Sequence, residues 1–276
     1  ANSGHLNFWF GAMHIIVCIK QVPDTANVKI NPETNTLMRD GVESIINPFD
    51  EYALEEALKL KDKHGAKVSV ITMGPPQASV ILREALARGA DEGILLTDRA
   101  FAGADTLATS YTLALAVQKI NPNPDLVLFG KQAIDGDTGQ VGPGVAECLG
   151  ITLLGNIKTL EVEKGRFRAE SVHENGSDIL EGDLPCVMTV LKEASSPRFA
   201  RLRGWMDAKR TPLQKWSAQD IEADPEKIGL KGSATKVVKI FSPPVRGCEL
   251  KCVWSTDKEV ALKSVMGTLM KKGILE

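Results

Sequence analysis

The sequence predicts an α/β protein built on a doubly wound, mostly parallel sheet, with an antiparallel extension and a C-terminal arm. Between residues 13 and 150, short apolar runs alternate with helix-like stretches. The runs are apolar on both faces, as is typical of strands buried inside a parallel sheet. After Gly150 the pattern changes to alternating segments separated by turn residues, which indicates antiparallel strands. Together these patterns favour helices on both faces of one open sheet.

The first strand is predicted at His14–Lys20, a nearly continuous apolar run. A small hairpin is predicted next, with Val28–Asn31 and Leu37–Asp40 on either side of a Pro-Glu-Thr-Asn turn. A helix should then begin at Asn47 and Pro48, because Asn is a good N-cap and Pro is tolerated at the first helical position. Gly65 should end it.

The remaining parallel unit repeats this strand and helix order. Further strands are predicted at Lys67–Met73, Gly93–Thr97 and Leu126–Phe129, and further helices at Gln77–Arg88, Thr106–Ile120 and after Gly139. The antiparallel extension is assigned to Thr159–Glu163, Phe167–Val172 and Cys186–Leu191, with turns at Lys164-Gly165 and Asn175-Gly176. A last amphipathic helix is predicted at Asp257–Lys272.

The predicted domain organisation follows from these shifts in composition. Residues 1–12 carry no charge and no period, and we interpret them as a cloning remnant rather than a signal peptide. Residues 13–194 form the α/β nucleotide-binding domain. Recurrent prolines and the absence of a sustained period in residues 195–245 favour an arm that wraps a partner. Residues 246–276 form a tail and a helix.

Composition excludes several classes of function. The net charge is −2 and no apolar run is long enough to span a membrane, so neither nucleic acid nor a bilayer is a predicted partner. Five scattered cysteines indicate free thiols and a cytoplasmic location. Cys248 and Cys252 leave a metal site open, but without a nearby histidine we predict no metal.

Ligands of doubly wound sheets bind at the carboxyl ends of the strands, where the strand order reverses. The segments that follow the predicted strands hold most of the unusual Gly, Pro and Asp residues. They are Lys20–Asp24, Met73–Pro76, Thr97–Thr106 and Gly130–Pro143. The last of these, which we call the opening loop, lacks the Gly-Lys-Ser/Thr of a P-loop. Even so, the backbone N–H groups of a glycine-rich turn at a helix start can bind phosphate.

These same segments resemble the small (β) subunit of electron transfer flavoprotein. The resemblance rests on Ile19–Asp24, Ile46–Phe49, Met73–Pro76 with Gly89–Asp91, and Gly130–Asp135 with Gln140. It implies an adenine-nucleotide-hydrolase-like fold and an adenine nucleotide held by the opening loop. The cofactor-binding residues that it implies are Ile19, Lys20, Val22, Asn47, Met73, Gly74, Pro75, Asp98, Arg99, Gly103, Ala104, Asp105, Thr106, Thr109, Gly130, Lys131, Ala133, Ile134, Asp135, Gly136, Asp137, Thr138, Gly139, Gln140 and Val141. Alternatively, Asp135 and Asp137 only shape the turn.

Asp98–Ser110 resembles the electron-bifurcating members of the family, which implies that the nucleotide is FAD. Small residues there leave room for a flat ring, and Arg99 offers positive charge. The resemblance implies a subunit that accepts a hydride from NADH. One electron would go to ferredoxin or flavodoxin, and the other through the FAD of an α subunit to a flavin-dependent dehydrogenase. The alternatives are an AMP-binding, non-bifurcating subunit and a non-redox nucleotide sensor; we predict no catalytic acid or base.

The resemblance also implies a docking loop for the partner dehydrogenase. The matching residues are Lys192, Ala194, Pro197, Arg198 and Phe199, with Ala194 at the position where the family carries an aliphatic anchor. Alternatively, this stretch is an ordinary solvated loop that leads into the arm.

Overall fold

The fold is described from a computed structural model. The structure describes residues 13–24, 29–30, 37–38, 44–236, 238 and 258–275. The chain divides into two units, residues 1–238 and residues 239–276. The predicted cloning remnant and both Cys248 and Cys252 lie outside the described residues.

The elements follow the predicted alternation of strands and helices. The strands are β1 (His14–Cys18), β2 (Gln21–Pro23), β3 (Lys29–Ile30), β4 (Leu37–Met38), β5 (Ser44–Ile46), β6 (Lys67–Met73), β7 (Glu92–Leu96), β8 (Leu126–Gly130), β9 (Thr152–Glu163), β10 (Arg166–His173), β11 (Gly176–Asp183), β12 (Cys186–Val190) and β13 (Gln214–Trp216). The helices are α1 (Pro48–His64), α2 (Ser79–Arg88), α3 (Thr106–Ile120), α4 (Val141–Leu149), α5 (Leu202–Arg210) and, in the second unit, α6 (Lys258–Lys271). The predicted hairpin (β3 with β4) and the predicted last helix (α6) are both confirmed.

Nine strands form the main sheet, in the order β11-β10-β9-β12-β8-β1-β6-β7-β13. The seven strands that lie in the order β9-β12-β8-β1-β6-β7-β13 pair in parallel with their neighbours. At the other edge, β9, β10 and β11 form an antiparallel meander. The chain runs from β1 outward through β6 and β7, then crosses back to place β8 on the other side of β1. The strand order therefore reverses between β1 and β8, which is where a doubly wound sheet opens its ligand crevice.

The position of Cys186–Leu191 corrects one expectation. We expected this run in the antiparallel extension, but β12 pairs in parallel with both β8 and β9 near the centre of the sheet. All five residues of β12 are buried, and a strand covered on both faces cannot sit at a solvated edge. The chain returns to the centre after the meander, and a local apolar pattern does not encode such a return.

Two helical layers cover the sheet. One face packs Val17 and Val70 against Leu54 of α1 and Leu82 of α2. The other face packs Ile16 and Ile71 against residues of α3 and α4. The five central strands, β12, β8, β1, β6 and β7, are thus covered on both faces, and their ends remain the accessible surface for a ligand.

Part of the stretch expected to form an arm packs on its own domain. Helix α5 crosses α2 so closely that a Cβ atom at Gly204 would overlap the carbonyl oxygen of Ala87. Arg83 of α2 donates to the carbonyl oxygens of Ala208 and Thr211 at the end of α5. Strand β13 then pairs with β7 at the sheet edge. Residues 202–216 therefore complete the first unit, and partner wrapping by residues 195–245 stays a prediction.

Candidate functional site

The carboxyl ends of β1 and β8 are joined by the buried side chain of Asp50. Its carboxylate accepts hydrogen bonds from the backbone N–H of Lys20 at 2.7 Å and of Gly130 at 3.1 Å. Burial raises the pKa of Asp50 to about 7, although the hydrogen bonds from Lys20, Asn47 and Gly130 oppose that rise. The carboxylate thus lies at the point where the strand order reverses, beneath the crevice.

Gly130 permits this close approach of strand and helix. A Cβ atom at Gly130 would lie 2.5 Å from the backbone carbon of Phe49 and 2.7 Å from the backbone nitrogen of Asp50. Real Cβ atoms do not approach other atoms so closely, so any larger residue would push α1 away from β8. The glycine at the start of the opening loop therefore serves packing.

Asn47 braces the opening loop instead of capping α1 with its side chain. We expected it as an N-cap, but its side chain makes no cap hydrogen bond. Instead, its amide nitrogen donates to the carbonyl oxygen of Gln132 at 2.8 Å, and its oxygen accepts from the N–H of Ile134 at 3.1 Å. The residues before α1 are thus tied to a loop more than 80 residues away in sequence.

Both aspartates of the opening loop have partners within the protein. Asp135 pairs with Lys20 at 2.7 Å across the crevice mouth. Asp137 has a positive φ of 51° and accepts from the side chain of Gln132 at 2.8 Å. These contacts match the alternative in which the aspartates shape the loop. The Lys20–Asp135 pair is solvent-accessible, so it adds little to stability.

The starts of α3 and α4 lie side by side but differ in their caps. At α3, the carboxylate of Asp105 accepts from Leu107 N–H at 3.0 Å and Ala108 N–H at 3.1 Å. At α4, Gln140 occupies the cap position without a side-chain cap hydrogen bond, and Gly139 before it has a φ of 62°. The first N–H groups of a helix have no intrahelical acceptor. The start of α4 is therefore free to receive an anion.

A hydrogen bond and a close helix contact hold these two starts together. The hydroxyl of Thr106 donates to the side-chain oxygen of Gln140 at 2.8 Å. A Cβ atom at Gly144 of α4 would lie 2.8 Å from the Cβ atom of Ser110 of α3. The two N-terminal ends thus form one surface beside the opening loop.

Asp98–Asp105 is attached mainly to the segment of residues 218–235. Asp98 accepts from the N–H groups of Ala100 and Ala218, which lower the pKa of its carboxyl. Asp105 accepts from the N–H and hydroxyl of Thr235 at 2.8 and 3.0 Å. Both carboxylates therefore anchor their own loop, and Thr106 links it to the opening loop. Gly103 has a φ of 73° and faces Leu230, so its position suits a turn.

The other residues named from the sequence differ in accessibility. Ile19 and Val22 are buried as whole residues, and the N–H of Ile19 donates to the carbonyl oxygen of Ile71 at 2.9 Å. Gly74, at the end of β6, donates its N–H to Leu96 at 3.0 Å, and Met73 beside it is half-buried. The exposed members of the set are Lys20, Pro75, Asp98, Arg99, Gly103, Lys131, Asp135, Gly136, Asp137, Thr138 and Gln140, and the half-buried ones include Ala104, Thr109, Ala133, Ile134, Gly139 and Val141.

The docking loop is held on α1 by Arg198. Its guanidinium contacts the buried carboxylate of Glu55 at 2.9 Å and Asp62 at 2.8 Å, and these hydrogen bonds raise the pKa of Arg198. Ala194 is half-buried and packs on the core, so it does not project as an anchor. Phe199, in contrast, is 94% exposed. Among the apolar residues matched to the docking loop, Phe199 is therefore the one that is exposed, whereas Ala194 and Pro197 are half-buried.

Asp50 is the residue whose role sequence reasoning missed. In the sequence it is only an acidic residue in the first turn of α1, a position that the helix dipole favours. Its contacts to Lys20 and Gly130 span 30 and 80 residues, and a single sequence carries no signal for pairs so far apart. The one local hint is a carboxylate at a position that the helical period turns towards the core.

Neither a metal centre nor a membrane span is seen in the described part of the chain. Within these ranges no three His, Cys, Asp or Glu side chains are grouped closely enough to hold an ion. The described helices are also too short or too polar to cross a bilayer.

Comparison with known proteins matches residues 34–221 to the electron transfer flavoprotein domain. The chain is 51% identical over 235 residues to the electron transfer flavoprotein subunit beta of Clostridium acetobutylicum, covering 85% of this chain and 90% of the relative. It is 47% identical over 264 residues to the caffeyl-CoA reductase-Etf complex subunit CarD of Acetobacterium woodii, covering 95% and 100%. It is also 47% identical over 253 residues to protein FixA of Bradyrhizobium diazoefficiens, covering 89% and 88%. The chain therefore belongs to the electron transfer flavoprotein family, among its small (β) subunits.

Proposed function

We propose that this β subunit binds the adenosine and phosphate half of a nucleotide in the crevice between β1 and β8. The observation that carries the proposal is the start of α4. It has no side-chain cap, it follows a left-handed glycine, and it lies beside the start of α3 at the reversal of strand order. Uncapped N–H groups and the positive end of the helix dipole together attract phosphate.

The residues around α4 fit such a ligand. Thr138 and Gln140 are exposed, and Gly139 and Val141 are half-buried at the mouth of the crevice. Their backbone N–H groups would hold the phosphate, while Lys20 and the neighbouring loop would contact the adenosine. The braces from Asn47 and Asp50 keep the opening loop in place before a ligand arrives, which reduces the ordering cost of binding.

We further propose that the nucleotide is FAD and that the subunit takes part in electron bifurcation from NADH. The support is the sequence of Asp98–Ser110 together with its setting: Arg99, Ala102 and Gly103 are exposed, and Asp98 and Asp105 fasten the loop from behind. Such a loop presents a fixed, small-residue surface with one cation to a flat ring. Bound FAD supplies the hydride and single-electron chemistry, and this chain's residues position it and exclude water.

The partners follow from the same proposal. An α subunit carries the second FAD, ferredoxin or flavodoxin takes one electron, and a flavin-dependent dehydrogenase takes the other. We place the dehydrogenase at the docking loop, with Phe199 as the anchor in place of Ala194, because Phe199 is exposed and Ala194 is not. The cytoplasmic location stays a prediction from the cysteine pattern.

A matched pair of glycine variants tests the phosphate site. Gly139→Ala puts a side chain on a residue with a φ of 62°, which costs about 1–2 kcal/mol for an L-residue. Gly136 has no positive φ and nothing within 4 Å of its would-be Cβ atom, so Gly136→Ala is the control. In the co-expressed α/β complex, the turn relieves this strain by leaving the geometry that binds phosphate, so Gly139→Ala should lower the affinity for the FAD of this subunit by up to about fivefold to thirtyfold. Equal affinities in the two variants would place the phosphate elsewhere.

An AMP-binding, non-bifurcating subunit is the second candidate. It uses the same opening loop and the same start of α4, so the glycine pair alone does not separate it from the FAD-binding subunit. The two candidates differ in what Asp98–Ser110 contacts, and hence in the nucleotide carried by the purified complex.

A further inference from the structure

We propose that Asp50 is a positioning residue that holds the two walls of the nucleotide crevice at a fixed separation, and that its ionisation controls how tightly the crevice holds its ligand. The proposal rests on the nucleotide site argued above. It concerns a carboxylate that does not touch the ligand and acts through the backbone of Lys20 and Gly130.

The geometry makes Asp50 the common link of three segments. It belongs to the first turn of α1, its Oδ2 atom accepts from Lys20 N–H after β1, and its Oδ1 atom accepts from Gly130 N–H at the start of the opening loop. Each oxygen therefore holds one wall. The side chain is buried, so water does not replace either hydrogen bond when one is lost.

Ionisation matters because both partners are N–H donors. The carboxylate accepts both hydrogen bonds, whereas a carboxylic acid carries a proton on one oxygen and that oxygen then faces an N–H group. Protonation of Asp50 thus releases one wall of the crevice. Burial has already raised the pKa of this carboxyl to about 7, so the change falls in a range where the protein can be studied.

Few charged groups face Asp50. Lys20 lowers its pKa from the β1 side, and the thiol of Cys18 on β1 is neutral, since burial and the Asp50 charge raise the pKa of that thiol. Asn47 and Gly130 contribute hydrogen bonds without charge. Glu51, next to it on α1, pairs with Arg88 instead. The pH dependence of these two hydrogen bonds is therefore expected to follow the titration of one carboxyl group, that of Asp50.

The test measures, at pH 6, 7 and 8, the affinity for the second FAD bound per heterodimer, the one that the α subunit does not hold, in the co-expressed α/β complex after removal of bound nucleotide. The variant is Asp50→Asn, which keeps the size but turns a donor towards one wall. The control is Glu56→Gln, a second buried acid on α1 whose carboxylate contacts Lys59. The diphosphate diester of FAD keeps its charge over this range, unlike the phosphate of AMP, whose second pKa is about 6.

At pH 8, Asp50→Asn should bind FAD about tenfold to a hundredfold more weakly than the wild type, as expected for a charged hydrogen bond lost in a buried site. The wild type should weaken as the pH falls, until the ratio at pH 6 is about twofold for a tenfold initial difference, because a carboxyl with a pKa near 7 is then about 90% protonated. Glu56→Gln should follow the wild type at each pH.

Equal FAD affinities of wild type and Asp50→Asn, or a ratio that does not change with pH, would overturn the inference. If Asp50→Asn yields no folded complex, the pH dependence of the wild-type FAD affinity is the test. An affinity that does not fall between pH 8 and pH 6 contradicts the proposed role of Asp50. Titration with AMP at pH 8 separates the two proposals. A wild type that binds AMP and only one FAD per heterodimer, the FAD of the α subunit, removes only the choice of FAD, and the ratio of AMP affinities between wild type and Asp50→Asn then tests the role of Asp50. A wild type that binds neither contradicts the nucleotide site itself.

Discussion

The hydroxyl of Thr106, the first residue of α3, donates a hydrogen bond of 2.8 Å to the side-chain oxygen of Gln140, the residue that precedes α4. This contact joins the two helix starts that border the candidate nucleotide site. It also connects the Asp98–Ser110 loop to the opening loop. Within the Asp98–Ser110 loop, the carboxylates of Asp98 and Asp105 contact residues 218–235. The two halves of the proposed FAD site are therefore linked by a side-chain hydrogen bond in addition to the close contact between Gly144 and Ser110.

Thr106→Val should weaken that connection. The variant keeps the shape of the side chain but removes the donor, and a neutral hydrogen bond contributes about 0.5–1.5 kcal/mol. We expect FAD affinity of the α/β complex to fall about threefold to tenfold, with thermal stability little changed. Thr152→Val, on an exposed residue at the start of β9, is the control and should leave affinity unaltered. A Thr106→Val complex as tight as the control would show that the contact plays no part in binding.

Gly204→Ala tests whether α5 belongs to the domain. A Cβ atom there would overlap the Ala87 carbonyl, and overpacking of this kind costs about 1–3 kcal/mol. Gly267→Ala in α6 has nothing within 4 Å of the added carbon, and should be neutral or stabilising by up to about 1 kcal/mol. Urea unfolding should thus show a lower free energy of unfolding for Gly204→Ala and an unchanged or higher one for Gly267→Ala. A stable Gly204→Ala protein would mean that α5 does not rest on α2.

Stability should fall at acid pH through His14. The Nε2 atom of His14 lies 2.6 Å from Ser69 Oγ, which donates to Glu92 at 2.5 Å, and Nδ1 lies 3.3 Å from the Asn121 amide. Because the hydroxyl hydrogen of Ser69 is used in the hydrogen bond to Glu92, the Nε2–H of His14 is the donor to Ser69 Oγ, and Nδ1 accepts from the Asn121 amide. Burial, helped by Lys67, lowers the pKa of His14.

A lowered pKa in the folded state means that the unfolded chain binds the proton more readily. The contribution of His14 is therefore fully present above pH 6.5, the ordinary value, and is lost as the pH falls through the lower folded value. Denaturant unfolding between pH 8 and pH 5 should show this loss in the wild type and a smaller one in His14→Gln. Parallel profiles for the two proteins would be inconsistent with the assignment.

Arg198 should stabilise the protein by holding the docking loop on α1 through Glu55 and Asp62. Removing it leaves the buried carboxylate of Glu55 without its main partner, so Arg198→Ala should cost about 1–3 kcal/mol. Glu55→Gln combined with Arg198→Ala should cost less than the sum of the single variants, because the two changes remove one interaction. Phe199→Ala should leave stability unchanged and weaken dehydrogenase binding. Additive stability effects at Glu55 and Arg198 would show that the pair does not hold the loop.

Local signals predicted much of this fold. The bounds of α1 follow from Asn47-Pro48 and Gly65, and the start of α3 follows from its N-cap Asp105, because helix ends are set by neighbouring residues. Strand β11 was missed because Gly176–Asp183 is exposed on both faces and shows no period.

The rest depends on contacts between distant residues. The sequence placed the opening loop and the β1 end in one site, since both follow strands of a parallel sheet. It could not show that Asp50 and Asn47 hold them together, that Asp98 and Asp105 turn to residues 218–235, or that β12 returns to the centre. Each of these pairings is fixed by the tertiary fold, which a local pattern does not specify.

The nucleotide content of the purified α/β complex tests the central claim most directly. Acid release followed by chromatography gives the identity and number of bound nucleotides per heterodimer. If the crevice between β1 and β8 holds FAD in this chain, the complex should yield two FAD and no AMP. One FAD together with one AMP would contradict the account and assign the subunit to the AMP-binding, non-bifurcating type.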